Sequence, residues 1–439
     1  MSGLVPGIHA FTRKQDVDGR DEPGHDKDVR SGTPMTDILK PRDDNEVVEA
    51  VTWAVAEGKT LEVAGRGSKR AIGRAAQTDL TLDGSGIAGI VLYEPEELVL
   101  SAKGGTPLAE IEQALAQNRQ ELPFEPPDLG PLLGGKPGEG TIGGMLAANL
   151  SGPRRIKAGA ARDHALGIKA VSGRGESFKA GGRVVKNVTG YDLPKLLAGS
   201  WGTLAVMTEV TLKVLPAAED VVSVLALGLA DQQAIEAMSA AMGTACDVSA
   251  AAHLPRNVAA LIPVPAVSAA NSAVTAFRLE GITPSIAYRR EKLEALLRPF
   301  GKLEALAAED SRAFWRAVRD VVPFADGSQN AVWRISTAPA SGAKIASAIT
   351  AVTAAKIFYD WAGGLLWVAM PSETPHETVI REALKGEGHA MLIRASAAVR
   401  ASAAVFEPLT PDLAALTRRI KESFDPKGIL NPGRMYAGV

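Results

Sequence analysis

At 439 residues the chain exceeds what one hydrophobic core usually organises, so two or three domains are expected. A formal net charge of −2, from 48 basic and 50 acidic side chains, argues against a polyanion held by bulk charge and leaves small ligands or protein partners. The single cysteine, Cys246, excludes an internal disulfide, a cysteine-based zinc site and an iron–sulfur cluster built by this chain alone, and reads as a small buried hydrophobe.

The first 34 residues mix both charges with Gly and Pro, lack the apolar segment of a signal peptide and read as a disordered extension. Met35 opens the first well-patterned segment. No run approaches the roughly 18 apolar residues of a membrane-spanning helix. Between Asn45 and Gly58, Val47, Val48, Val51 and Val55 recur at helical spacing, and Gly58 marks the stop. Thr60 to Ala64 alternates like a strand and runs into Gly65-Arg66-Gly67-Ser68-Lys69-Arg70. Arg70 stands where G-x-G-x-x-G needs its third glycine, so a Rossmann fold is poorly supported, although this loop with its cations still suits a diphosphate.

Strand-like pieces at Leu80 to Leu82, Gly89 to Tyr93 and Glu97 to Ala102 lead to Gly104-Gly105, and Pro107 to Gln117 reads as a helix with proline at its start. Gly130 to Lys136 superficially completes a nucleotide-triphosphatase loop. Pro137 removes both the hydroxyl for magnesium and the backbone N–H that such a loop requires. The stretch Gly138 to Gly152, GEGTIGGMLAANLSG, fits ordinary core or surface least. Gly140, Gly143 and Gly144 permit positive φ and close approach of main-chain N–H groups, which suits a nest for an anionic cofactor. The alternative is a surface loop leading into a short helix.

Ala165 to Val171 and Gly173 to Val185 read as two strands, and Asn187 to Leu193 as a loop entering a helix capped by Asp192. After a Gly199-Ser200-Trp201-Gly202 turn, Ala205 to Leu215 reads as strand and Pro216 closes the unit. From 217 to 408 alanine dominates, and strand-like segments (221–227, 272–279, 331–336, 364–368, 389–393) alternate with helical ones (231–242, 285–298, 311–321, 342–352), the pattern of an α+β layer. His253, His376 and His389 stand alone, so no metal site is expected. Arg334 and Arg394, each near a strand of this region, are the candidates for holding a carboxylate bidentately; the catalytic base is not identified.

Four pieces in order resemble the FAD-binding domain of the vanillyl-alcohol oxidase (PCMH-type) flavoprotein family: Gly65 to Lys69; Thr141 to Gly144 with Asn149 and Gly152; Gly190-Tyr191-Asp192; and Gly199 to Leu204 with Thr208-Glu209. The ending, Phe424 to Met435 (FDPKGILNPGRM), is similar to that family's closing segment. The resemblance implies a two-subdomain FAD-binding domain over 35–216, an α+β sandwich cap over 217–408 and a segment 409–439 returning to the FAD domain. It implies diphosphate held by Arg66, Gly67, Ser68, Lys69, Thr141, Ile142, Gly143 and Gly144. Asn149, Ser151 and Gly152 would follow the cofactor toward its flavin, and Val206 would lie near the adenine half. No His or Cys lies in 64–73, so non-covalent FAD is expected. Within the family the wording GRGSK, PPDLG and NVTGYDLPKLLAGSWGTL is most similar to flavin subunits of bacterial glycolate oxidase complexes. That implies oxidation of glycolate or a related D-2-hydroxy acid to the 2-oxo acid, beside a larger flavoprotein subunit and an iron–sulfur subunit. A cytoplasmic place follows, with any membrane contact made through partners. Two alternatives stay open: a non-catalytic subunit whose FAD relays electrons or stabilises a complex, and a free-standing FAD-dependent alcohol oxidase.

Overall fold

A computed structural model describes residues 37–75, 77–182 and 190–439. The N-terminal extension and the Asn187 to Thr189 part of the predicted loop lie outside the described residues.

Strands Asp37–Leu39, Leu80–Asp83 and Leu61–Ala64 form a parallel sheet with Leu80–Asp83 in the middle. The helix Asp44–Glu57 packs on it. That helix starts where Asp43 Oδ1 accepts the N–H groups of Asn45 and Glu46 at 2.9 and 3.0 Å, and stops at Gly58 with φ 63°. Val47, Ala50, Val51 and Ala54 face inward against Leu61 and Leu82, which fixes where the strand Leu61–Ala64 ends and the loop 65–70 begins. A second sheet of five antiparallel strands follows, in the order Ile90–Glu94, Val99–Lys103, Ala205–Lys213, Ala165–Ser172 and Ser177–Gly181. The predicted strand Gly173 to Val185 is in part a turn, and its strand begins at Ser177.

From Asp220 onward the chain builds one eight-stranded antiparallel sheet, ordered Lys302–Leu306, Asp220–Leu227, Val274–Gly281, Ala250–Leu254, Lys356–Asp360, Leu365–Ala369, Val332–Thr337 and Gly388–Arg394. The helices Asp231–Met242, Thr283–Leu297, Ala308–Arg319 and Gly342–Thr350 pack against it. Five strands fall where the sequence places them. Ala250–Leu254, Lys302–Leu306 and Lys356–Asp360 were not anticipated; alanine and charged residues make the first two poor strand formers that their place in the sheet extends, whereas Ile357-Phe358-Tyr359 of the third is a short strand-favouring run that went unread. The resulting chain is the mixed α+β fold expected.

After the helix Pro411–Phe424 the chain returns to the first sheet. Leu430 bridges Leu61, and Asn431 accepts from Val63 N at 2.9 Å while donating to Trp201 O at 2.8 Å. Buried Lys421 ties this return to Thr203 O and Leu430 O at 2.6 and 2.9 Å. No helix among the described residues is long and apolar enough to cross a membrane.

The first part meets the eight-stranded sheet through a buried ion network. Arg278 grips Glu125 with two hydrogen bonds of 2.7 and 2.8 Å, and Arg154 reaches Glu280 at 2.8 Å and Glu121 at 2.6 Å. Burial opposes ionisation of Glu125, but Arg278 and Arg154 outweigh it and hold the carboxyl at about 2. A carboxylate so depressed stabilises the fold above its unfolded range near pH 4, and that contribution fades as pH falls toward 2. Glu125→Ala therefore lowers the unfolding free energy at pH 7 by about 3–5 kcal/mol, because buried Arg278 loses its bidentate partner and keeps only the longer ion pair to Glu280. Urea denaturation checks this, and an unchanged value contradicts it.

Candidate functional site

Where the parallel strand Leu61–Ala64 ends, the loop 65–70 comes against Thr141: a Cβ added to Gly65 would sit 2.5 Å from Thr141 Oγ1. Gly104 and Gly143 are equally confined, since a Cβ on either would strike Met207 O at 2.1 Å or Gly104 O at 2.8 Å. These glycines bring four backbone segments together around one cavity enclosing about 850 Å³ of open space. Arg66, Gly67, Ser68, Lys69, Thr141, Gly143, Gly144 and Val206, all singled out from the sequence, line it. Glu62, Arg70, Gly104, Gly105, Trp201 and Arg434 line it too and were not assigned to it. The pair Gly104-Gly105 and the motifs carrying Trp201 and Arg434 were visible in the sequence; nothing there said that they meet.

The remaining predicted contacts lie elsewhere. Ile142 is wholly buried in the core. Asn149 ends the helix Ile142–Ala148 with φ 48° and accepts from Arg162 N at 3.1 Å. Ser151 Oγ accepts from Ala161 N at 3.1 Å. Gly152 O accepts Trp361 Nε1 at 2.9 Å, so this segment points from the cavity toward the large sheet.

Two of the predicted nest glycines have no N–H group to spare. Gly143 and Gly144 do not take positive φ; both are helical, and their N–H groups bond to Gly104 O at 2.9 Å and Thr141 Oγ1 at 3.3 Å. Their value is close approach. In the loop after Ala64, by contrast, the N–H groups of Arg66, Gly67, Ser68 and Lys69 make no hydrogen bond among the described residues, and Gly67 has φ 77°. Successive unsatisfied amides around a left-handed glycine form an anion-binding concavity.

Charge in the cavity is unbalanced the same way. Arg66, Lys69, Arg70 and Arg434 face one carboxylate, Glu62, which already receives Arg70 Nε at 2.8 Å and Thr81 Oγ1 at 3.2 Å. The Lys69 ammonium makes no hydrogen bond or ion pair among the described residues, and burial lowers its pKa against the opposing pull of Asp128. Val63, Ala64, Ile87, Ala147, Ala205 and Val206 supply apolar wall. Free amides, surplus cations and apolar wall together fit a diphosphate joined to a flat ring, as in FAD.

A second charged cluster lies on the large sheet. The Arg334 and Arg155 guanidinium carbons sit 4.8 and 4.3 Å from the Trp361 ring centroid, and the Arg334 guanidinium makes no hydrogen bond among the described residues. Burial and Arg155 lower the Arg334 pKa to about 10. Asp360, 2% exposed, accepts from Trp361 N at 2.7 Å, and burial raises its carboxyl to about 7. Arg394, the other candidate for a carboxylate, is differently placed. Its guanidinium donates to Asn330 O, Phe324 O, Leu132 O and Ser328 Oγ at 2.7, 2.7, 3.3 and 3.1 Å, so it ties loops together and leaves no fork for a ligand. Buried His253 bonds to Thr275 and Asp231, and among the described residues no cluster of His, Cys, Asp or Glu is placed to hold a metal ion.

Comparison with known proteins gives a consistent picture. Residues 36–181 match the FAD binding domain model, and 400–435 match the C-terminal domain of FAD linked oxidases. The chain is 34% identical over 393 residues to the glycolate oxidase subunit GlcE of Escherichia coli, covering 89% of this chain and 97% of that one. It is 27% identical over 332 residues to the glycolate oxidase subunit GlcD of Bacillus subtilis, 68% of each chain. Among solved structures, p-cresol methylhydroxylase with substrate bound superposes with a TM-score of 0.69 at 12% identity, covering 91% of this chain and 88% of that one, which establishes a shared fold.

Asp360 gives the site a pH signature. An acid whose folded pKa is raised from 3.8 to about 7 keeps its proton in the fold while the unfolded chain loses it, so stability falls as pH rises through that window. Asp360→Asn keeps the Trp361 hydrogen bond and removes the cost, on the order of 4 kcal/mol at pH 8. Thermal unfolding should show the variant above wild type at pH 8 and level with it near pH 4; equal midpoints at both values contradict this.

Proposed function

The chain belongs to the FAD-linked oxidase family with a PCMH-type FAD-binding domain that includes the glycolate oxidase subunit GlcE, and on that premise we propose that it is the flavin-carrying subunit of a multi-subunit glycolate oxidase. It is an FAD-dependent oxidoreductase. The substrate would be glycolate or a related D-2-hydroxy acid, and the product the 2-oxo acid. The observation that carries this reading is the cavity between loops 65–70 and 141–144, with four free amides and cations in surplus.

We take 35–216 as the FAD-binding domain, 217–408 as the cap and 409–439 as the segment that returns. Arg66 to Lys69 would hold the diphosphate through their amides and the Lys69 ammonium, with Thr141, Gly143 and Gly144 as the wall that faces them. Val206 would lie by the adenine half. Asn149, Ser151 and Gly152 would lead toward the flavin by fixing the path of the chain. FAD, when bound, supplies the hydride acceptor. Arg334, with Arg155 beside it over Trp361, is the group left free to grip a substrate carboxylate and orient its neighbouring carbon. The residues around the cavity include no His or Cys, in keeping with FAD held without a covalent link.

A larger flavoprotein (D) subunit and an iron–sulfur (F) subunit would complete the complex. The location would be cytoplasmic, with any contact at the inner membrane made by those partners.

One observation favours a second reading: the cavity is lined by residues between 62 and 207 and by Arg434, with none from 217–408. A subunit that relays electrons or stabilises the complex needs no more than that. Anaerobic mixing of the purified protein with glycolate separates the two. Bleaching of its own flavin is expected from catalysis in this chain, and bleaching confined to the assembled complex supports the relay. Acid precipitation should release the flavin into the supernatant; colour retained in the pellet contradicts non-covalent FAD.

A further inference from the structure

The return of the chain's end to the first sheet places at the cavity one guanidinium that sequence pattern left unassigned. Arg434 is clamped by its backbone: its carbonyl accepts from Arg74 N at 2.8 Å, and its N–H donates to Asn431 O at 3.2 Å. Its side chain passes over Trp201, 5.8 Å from the ring centroid, and closely past Gly73, where an added Cβ would meet Arg434 Cγ at 3.0 Å. Gly73 has φ 97°, so that passage is reserved for glycine twice over.

What this held side chain lacks is an acceptor. A guanidinium carries five N–H donors, and among the described residues Arg434 uses one of them, Nη2 to Lys69 O at 2.9 Å. Its Nε is buried with no partner. Glu62, the carboxylate that favours its charge, is already taken by Arg70 and Thr81, and burial together with the like charges of Arg400 and Arg70 brings the Arg434 pKa down to about 10. Arg394 shows how this molecule treats a structural arginine, with acceptors at Nε, Nη1 and Nη2. A buried cation left unpaired costs several kcal/mol, so a residue fixed in that state is compensated by something the protein binds.

We infer that Arg434 is a cofactor-binding residue: supplied by the C-terminal return, it lines the cavity beside Lys69 and donates to the diphosphate of bound FAD alongside the amides of 66–69. The inference rests on the FAD reading of the cavity. It makes the binding site a composite of the chain's two ends, complete only when the segment around Asn431 is docked on Leu61 and Val63.

The test uses full-length protein stripped of FAD, titrated with FAD and separately with ADP, for wild type, Arg434→Gln and Arg434→Lys. Wild type should bind both ligands. Arg434→Gln should weaken both by about tenfold to a hundredfold, the loss expected for a charge-assisted hydrogen bond, and Arg434→Lys should recover part of it. Without ligand, the thermal midpoint of Arg434→Gln should be no lower than that of wild type, while the rise on adding FAD shrinks. Unchanged FAD and ADP affinities overturn the inference, as does a lower ligand-free midpoint with the FAD-induced rise intact. Failure of the wild-type protein to bind either ligand overturns instead the FAD reading on which the inference stands.

Discussion

The cavity beside the first sheet holds more positive charge and more unbonded N–H groups than the other described residues answer. The Lys69 and Arg434 side chains pair with no carboxylate among the described residues, and four successive amides from Arg66 to Lys69, all lining residues, make no hydrogen bond there. For the Lys69 and Arg434 cations such a state is unfavourable, because burial opposes their charge and Arg434 Nε is buried without a partner. The surrounding structure overrides that cost. The helix Asp44–Glu57 fixes the strand before the loop, the glycines at 65, 104 and 143 let four backbones close to contact, and Asn431 pins the chain's end across Val63 and Trp201. An FAD diphosphate would be the missing counter-charge, and its binding would return the free energy that this arrangement withholds.

The large sheet contributes through a different balance. Its contact with the first part is satisfied: Arg278, Arg154, Glu125 and Glu280 form a network in which each charge has a partner. Arg394 is likewise consumed by carbonyls. Against that background Arg334 stands out, lying over the Trp361 ring that Arg155 also covers, its guanidinium without an acceptor among the described residues. The link from Trp361 to Gly152 O joins this second locus to the segment leaving the cavity, so the two sites share one rigid connection.

Much of this was legible in the sequence because it is local. The helix Asp44–Glu57, the strand into Gly65 and the proline-led helix Leu108–Gln117 announce themselves by period and by cap. The glycine loops pointed to an anionic cofactor, and the ordered motifs pointed to its family. What local pattern could not show was which loop keeps its amides free. The stretch Gly138 to Gly152 looked the richer nest, yet within it Gly143 and Gly144 are helical and spend their N–H groups on Gly104 O and Thr141 Oγ1, while the shorter 65–70 loop leaves four successive amides unbonded among the described residues. Nor could spacing reveal Arg434 meeting Lys69, 365 positions away, or Arg394 turning to carbonyls while Arg334 stays free. Strands such as Ala250–Leu254 were hidden for a related reason: alanine becomes strand only when neighbours on both sides pair with it.

The claim beneath all of this is that one diphosphate sits against the amides of 66–69. An experimental structure of the FAD-loaded protein tests it most directly. The account predicts density for both phosphates within hydrogen-bond distance of those amides and of Lys69. A cofactor whose phosphates lie away from the 65–70 loop, with those amides still facing solvent, would contradict it.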